Sequence, residues 1–303
     1  MLEMLRSFAS RLRARSRRGD HAVTPVNSPR PRRPLLVTAG VVVFAGLLGI
    51  LGGLELRRHL ASPTGSTGTF EQRQALFDLL QPVALGNCRL ERFGEPHDGG
   101  YLMCGNLLEE VQAGYSYGIA GYDQWGCDIS TRRDVTVHQY DCFDTRQPAC
   151  PGGRMTFHAE CVGNASRTED GRPFDTIENQ FSKNGDRAKR IALKIDVEGA
   201  EWDSLLTAPD DVLQQIDQMA IEFHWVEDEK SLALVRRLKQ FFEVAHIHFN
   251  NASCISGMEP FPAWAYEVLF VSKRLAVVDP ADKAGGAHPL DAPNIALISD
   301  CQP

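Results

Sequence analysis

LKIDVEGAEW, residues 193–202, decides how the rest of the chain is read. Leu193, Ile195 and Val197 alternate with Lys194, Asp196 and Glu198, the period-two pattern of a strand with one apolar side. Gly199 then permits a sharp turn with positive φ. Glu201 falls in the first turn of a following helix, where the amide dipoles favour a carboxylate. A strand that releases three acids at its carboxyl end concentrates negative charge unfavourably. A bound cation, a shared proton or a metal relieves it. The plainer reading is that one carboxylate caps the helix and another pairs with Lys194.

Working outward, similar apolar runs recur at 115–121 (YSYGIAG), 135–141 (VTVHQYD), 155–163 (MTFHAECVG) and 218–225 (QMAIEFHW), with final strands at 243–249 and 265–273. Helical patterns alternate with them near 201–206, 211–216 and 227–242. An earlier amphipathic helix over 69–83 takes Thr69 as its cap and turns Phe70, Leu76, Phe77 and Leu80 to the core. Alternation of this kind predicts an α/β sheet with right-handed crossovers. Ligands in such sheets bind beyond the carboxyl ends of the strands.

IEFHW adds a second polar cluster at such an end. Glu222 and His224 are two apart and share one face of a strand. Histidine exchanges a proton near neutrality, and a neighbouring glutamate orients it. Asp196, Glu222 and His224 suit a divalent ion equally well, and spacing does not choose between the roles. His246 and His248 repeat the arrangement on the next strand, where a solvated edge explains them as well. Gly118 and Gly121 follow the first strand, and Asp141 ends the next one 20 residues later. An acid at that distance grips ribose hydroxyls in nucleoside-binding sheets. The residues do not separate a nicotinamide cofactor from S-adenosylmethionine. There is no P-loop, no G-x-S-x-G elbow and no HExxH helix.

Charge is uneven. Residues 1–34 carry nine arginines against Glu3 and Asp20, a net of +7, leaving −14 on the remainder of a chain whose total is −7. So acidic a body is a poor partner for nucleic acid. Leu35–Leu54 is 20 residues without charge or proline, a length that spans a bilayer as a helix. The arginines before it predict a cytoplasmic N-terminus, with the rest luminal, extracellular or periplasmic. The expected organisation is a basic arm (1–34), a transmembrane helix (35–54), a flexible stalk (55–69), a catalytic-type domain (70–279) and an irregular tail (280–303) tied down by Cys301. All eight cysteines lie beyond the apolar segment, which fits a disulfide-bonded domain of up to four bridges with the pairing left open. Asn164–Ala165–Ser166 and Asn251–Ala252–Ser253 are glycosylation sequons for a eukaryotic secretory route.

FGEPHDGGYLMC (93–104), YSYGIAGYDQW, VHQYDCFD (137–144), LKIDVEGAEW and QMAIEFHW, in this order, resemble the methyltransferase domain of membrane-anchored methyltransferase-like proteins, a group related to FkbM-type methyltransferases. The resemblance spans roughly residues 70–273 and implies a Rossmann-like S-adenosylmethionine-dependent methyltransferase fold. That fold has about seven strands in a mixed sheet with an antiparallel last hairpin, here preceded by one transmembrane helix. It implies S-adenosylmethionine as donor and methylation of an oxygen or nitrogen on a small molecule or glycan. Gly118, Ile119 and Ala120 would line the donor pocket and Asp141 would bind its ribose. Asp196 would lie near donor and acceptor, with Glu198, Glu222 and His224 around the acceptor, Asp123 and Trp125 shaping the site, and His97, Asp98, Gly99 and Gly100 matching the family's entry motif. The usual acid-x-Gly-x-Gly-x-Gly loop is replaced by one beginning Ser116–Tyr117–Gly118. Two other functions fit the same acidic crevice: a non-catalytic glycan-binding or scaffolding domain on this fold, and a metal-dependent glycosyltransferase, though no DxD arrangement supports the latter.

Overall fold

The computed structural model describes residues 68–226, 228–282 and 288–301. Helix α1 (Phe70–Leu79) is capped by Thr69 and Gln72 in a reciprocal pair; Leu76 and Leu80 are buried, while Phe70 faces solvent. A hairpin of β1 (Leu90–Gly94) and β2 (Gly100–Cys104) follows. Then come β3 (Ala113–Tyr117), α2 (Gln124–Arg133), β4 (Thr136–Tyr140) and β5 (Arg154–His158). Short strands β6 (Cys161–Val162), β7 (Arg167–Glu169) and β8 (Arg172–Asp175) form a separate small sheet before α3 (Ile177–Lys183). The chain continues through β9 (Ile191–Ile195), α4 (Glu201–Thr207), α5 (Asp210–Gln215), β10 (Ile216–His224), α6 (Asp228–Phe241), β11 (Phe242–Phe249) and β12 (Ala265–Ser272).

The main sheet has seven strands in the order β11-β12-β10-β9-β3-β4-β5. Strands β5, β4, β3, β9 and β10 are parallel neighbours, and β12 runs antiparallel to both β10 and β11. This is a mixed, generically Rossmann-like sheet, with the antiparallel final hairpin that was expected. The chain moves outward from β3 to β5, then returns to β9 on the other side of β3. The switch point therefore lies between β3 and β9, where ligand crevices open.

Both faces of the sheet are covered. One holds Leu193, Ile195, Ile221 and Phe223; the other holds Ala192, Ala220 and Leu269 with Met103 and Trp125. The small alanines let the β1–β2 hairpin lie against the second face, where the Gln218 amide bonds both the N–H and the carbonyl of Cys104 at 2.9 Å. Sequence patterning missed this hairpin, because its turn-rich composition hides two short strands. It also read 155–163 as one strand, whereas the chain leaves the main sheet after His158 and pairs again only as β6 in the small one.

Four disulfides join Cys88–Cys104, Cys127–Cys150, Cys142–Cys161 and Cys254–Cys301. The last ties the tail to the loop after β11, as expected for Cys301. Asn251 is buried and its amide holds the tail carbonyls of Ile295 and Ile298, so the second sequon is closed to a glycan, while Asn164 is exposed.

The membrane expectation is corrected. No helix among the described residues is long and apolar enough to cross a bilayer. The segment 35–54, the basic arm and the stalk as far as residue 67 lie outside the described residues. The transmembrane helix, the membrane-anchored family, the bilayer as partner and the single-pass topology with its cytoplasmic and luminal sides therefore drop out of the functional reading.

Candidate functional site

The carboxyl ends of β3, β4, β9 and β10 carry all the catalytic and cofactor candidates. At the switch point the Asp196 N–H donates to Tyr117 O at 3.2 Å and the Gly118 N–H to Tyr140 O at 3.0 Å. A β-carbon at Gly118 would lie 1.7 Å from the Asp196 carbonyl oxygen, and φ there is +72°, so glycine is required. Ala120, Glu198 and Trp225 take left-handed conformations just past β3, β9 and β10, with φ of 48°, 56° and 60°. Strain of this kind gathers at ligand sites.

Asp196, Glu198, Glu222 and His224 come together here. The His224 side chain is 5% exposed, and its Nδ1 lies 3.2 Å from Glu201 Oε1. That oxygen also accepts the His224 backbone N–H at 2.8 Å, and the other Glu201 oxygen accepts the Gly199 N–H at 2.9 Å. The opposite ring nitrogen, Nε2, faces the cluster 3.8 Å from Asp196 Oδ1 and 3.7 Å from Glu198 Oε2, beyond hydrogen-bond distance. Burial alone lowers the imidazole's pKa, but Glu201 and Asp196, joined by Glu222 once that acid ionises at higher pH, outweigh it and lift the group to about 10. Without a bound cation, His224 is an imidazolium at neutral pH and supplies positive charge.

Glu222 is buried beside these groups. Burial, reinforced by the charge of Asp196, pushes its carboxyl up to about 8. Asn250 donates to one Glu222 oxygen at 2.8 Å. The Tyr101 hydroxyl, on β2, reaches Asp196 at 3.3 Å and Glu222 at 3.5 Å. Lys194 turns its ammonium to the carbonyl of Gly118 at 2.9 Å and lies 3.4 Å from Asp196, which realises the pairing weighed from sequence. One ligand atom from each of Asp196, Glu198 and His224 lies within 4.8 Å of the others, so this cluster can hold a divalent cation. Glu198 takes the place given to Glu222 in the sequence reading, because Glu222 is turned toward Tyr101 and Asn250.

Asp141 joins the two adjacent loops. One oxygen accepts the Ala120 N–H at 2.8 Å; the other accepts the Phe143 and Asp144 N–H groups at 2.8 and 2.9 Å. Ile119 is buried beside it. Asp123 caps α2, accepting the Gly126 N–H at 2.8 Å, and Trp125 is a core residue. His97 forms the β1–β2 turn and contacts the tail carbonyl of Pro293 at 2.8 Å. His246 and His248 stand apart with Asp291 and Glu267 around a small cleft behind Tyr101.

Sequence reasoning placed Glu201 at a helix start and missed its partner, because His224 arrives from another strand. Tyr101 and Asn250 carried no local signal at all. No protein-family model and no curated protein sequence matches the chain.

Proposed function

We propose that this chain is an S-adenosylmethionine-dependent methyltransferase acting on an oxygen or nitrogen of a small molecule or glycan. The observation that carries the reading is the sign of the charge at the switch point. In dinucleotide-binding sheets the helix after the first strand offers its free N-terminus to a pyrophosphate. Here Asp123 fills that N-terminus with its own carboxylate, and Asp141 stands on the neighbouring loop, where Asp144 is already neutralised by Arg146. A pyrophosphate would have to displace the Asp123 carboxylate from that N-terminus. A sulfonium nucleoside is cationic, and the carboxylates of Asp196 and Glu198 favour it.

The donor set fits such a ligand. Gly118, Ile119 and Ala120 form a turn with backbone and apolar surface, and the Asp141 oxygen that accepts only the Ala120 N–H keeps one acceptor site for a hydroxyl. When bound, the donor supplies an activated methyl group. Asp196, whose side chain is 25% exposed, takes the proton of the acceptor. The Tyr101 hydroxyl holds Asp196 from behind, and in the cation-free site the His224 imidazolium offsets negative charge as the acceptor ionises. Alignment of acceptor and methyl supplies much of the acceleration.

Calorimetric titration of the oxidised protein with S-adenosylmethionine tests the first half of this reading, and labelled methyl transfer to sugars and small hydroxylated acceptors tests the second. Micromolar donor binding and transfer that collapses in Asp196→Asn are expected. A folded protein that binds glycan but no donor would overturn the proposal in favour of a binding domain.

A further inference from the structure

We infer that Asp196, Glu198 and His224 form a binding site for a first-row divalent cation of the Mn2+ and Zn2+ class, open to solvent on the side of Glu198. The acids alone would not make a site. The second observation is His224, whose side chain is 5% exposed and whose Nε2 has no hydrogen-bond partner among the described residues while pointing between the two carboxylates. Its other nitrogen is held by Glu201, which is itself fully buried and anchored by two backbone N–H groups. A carboxylate that fixes the far side of an imidazole is the usual outer support of a ligating histidine.

The distances suit a shared ion. Ligands about 2.1 Å from a metal lie about 3.4 Å apart in a tetrahedral site and about 3.0 Å apart at adjacent octahedral positions. The observed separations from Nε2 are 3.8 and 3.7 Å, and the Glu198 side chain, 72% exposed, is free to close the remainder. One nitrogen and two carboxylate oxygens favour a transition metal over Mg2+. The ion displaces the Nε2 proton of the imidazolium to solvent as it binds; three protein ligands then leave coordination positions toward solvent, and these suit an acceptor with two neighbouring oxygens, such as a sugar diol or a hydroxy acid. This last clause rests on the methyl-transfer reading; the cation site does not.

The test is titration of the full oxidised chain with Mn2+ alone, with neither donor nor acceptor present, followed by electron paramagnetic resonance. One bound equivalent is expected, with nitrogen coupling from the imidazole and little displacement by millimolar Mg2+. Glu198→Gln, a change at an exposed side chain, and Asp196→Asn are each expected to weaken binding about 10-fold or more, whereas Glu169→Gln on the distant small sheet changes nothing. No bound equivalent in folded protein, no nitrogen coupling, or an affinity untouched by Glu198→Gln and Asp196→Asn would overturn the site. Donor titration is measured separately, so failure here and failure of the methyltransferase reading are distinguishable.

Discussion

Replacing Glu222 by glutamine is expected to stabilise the protein increasingly as pH rises from about 4.5 toward 8. The carboxyl is 4% exposed and is held up to about 8 by burial and the neighbouring Asp196, against an ordinary value of 4.5. Between those two pH values the unfolded chain releases a proton that the folded chain keeps. Stability therefore falls with rising pH through this window, by at most about 1.4 kcal/mol per pH unit, and levels off above it. Glutamine has no proton to lose. Its oxygen still accepts from Asn250, and its amide faces the Tyr101 oxygen, which can accept as well. At pH 5 the two proteins are expected to lie within about 1 kcal/mol, a typical value for one exchanged hydrogen bond. By pH 8 the variant gains about 3–4 kcal/mol on the wild type. Urea denaturation at both pH values, with disulfides intact and chelator present, measures the gap through the midpoint at constant slope. A gap that stays the same or shrinks would refute the claim that Glu222 is kept neutral. Donor binding by the variant separates stability from function, since a site that sacrifices stability for a neutral acid gains stability when the acid is removed.

Glu201→Gln acts in the opposite direction. Its amide must face either the Gly199 N–H or the two His224 donors, so at least one charge-assisted bond is lost, at about 1.5–3 kcal/mol, read by calorimetric melting. Asp186→Asn carries a pH signature of its own. Burial raises this acid, but hydrogen bonds from His138, Lys189 and Tyr115 bring it down to about 2. Its contribution of about 2.5 kcal/mol is present above pH 4 and is lost as pH falls toward 2, so denaturation curves of variant and wild type are expected to converge in acid. Gly118→Ala meets the Asp196 carbonyl and an unfavourable φ together, and is expected to cost more than about 3 kcal/mol or to leave the protein insoluble. Removing Cys301 frees the tail that Cys254 holds, so limited proteolysis is expected to trim residues 288–301 while the main sheet resists.

The parallel strands were legible because strands buried on both faces are nearly continuous in apolar residues. IALKI and MAIEF need no partner to be recognised. The β1–β2 hairpin was not legible, since Glu91, Arg92, Glu95 and the His97–Gly100 turn dilute its pattern and its packing depends on alanines in β9 and β10 that lie more than eighty residues away. Phe70 followed the helical period yet faces solvent, because period fixes a face without fixing what covers it. The acids after β9 were visible as a cluster. Their division of labour was not, because each role is set by a residue distant in sequence: Glu201 by His224, Glu222 by Asn250, and Asp196 by Tyr101.

That division explains why a buried strand releases so many acids. Among the described residues, Asp196, Glu198, Glu201 and Glu222 face two cations, Lys194 and His224, and Lys194 directs its ammonium mainly to backbone carbonyls. Two adjustments soften the imbalance: Glu222 stays neutral and His224 stays charged. Glu201 is consumed by backbone and imidazole, which leaves Asp196 and Glu198 facing the crevice with one imidazolium between them. Full neutralisation requires one further positive charge at the carboxyl ends of β9 and β10. On the proposed reading a sulfonium would provide it from the side of Gly118, and a divalent ion would provide it by displacing the Nε2 proton of His224, so the two ligands are expected to compete weakly for the same field even while occupying different atoms.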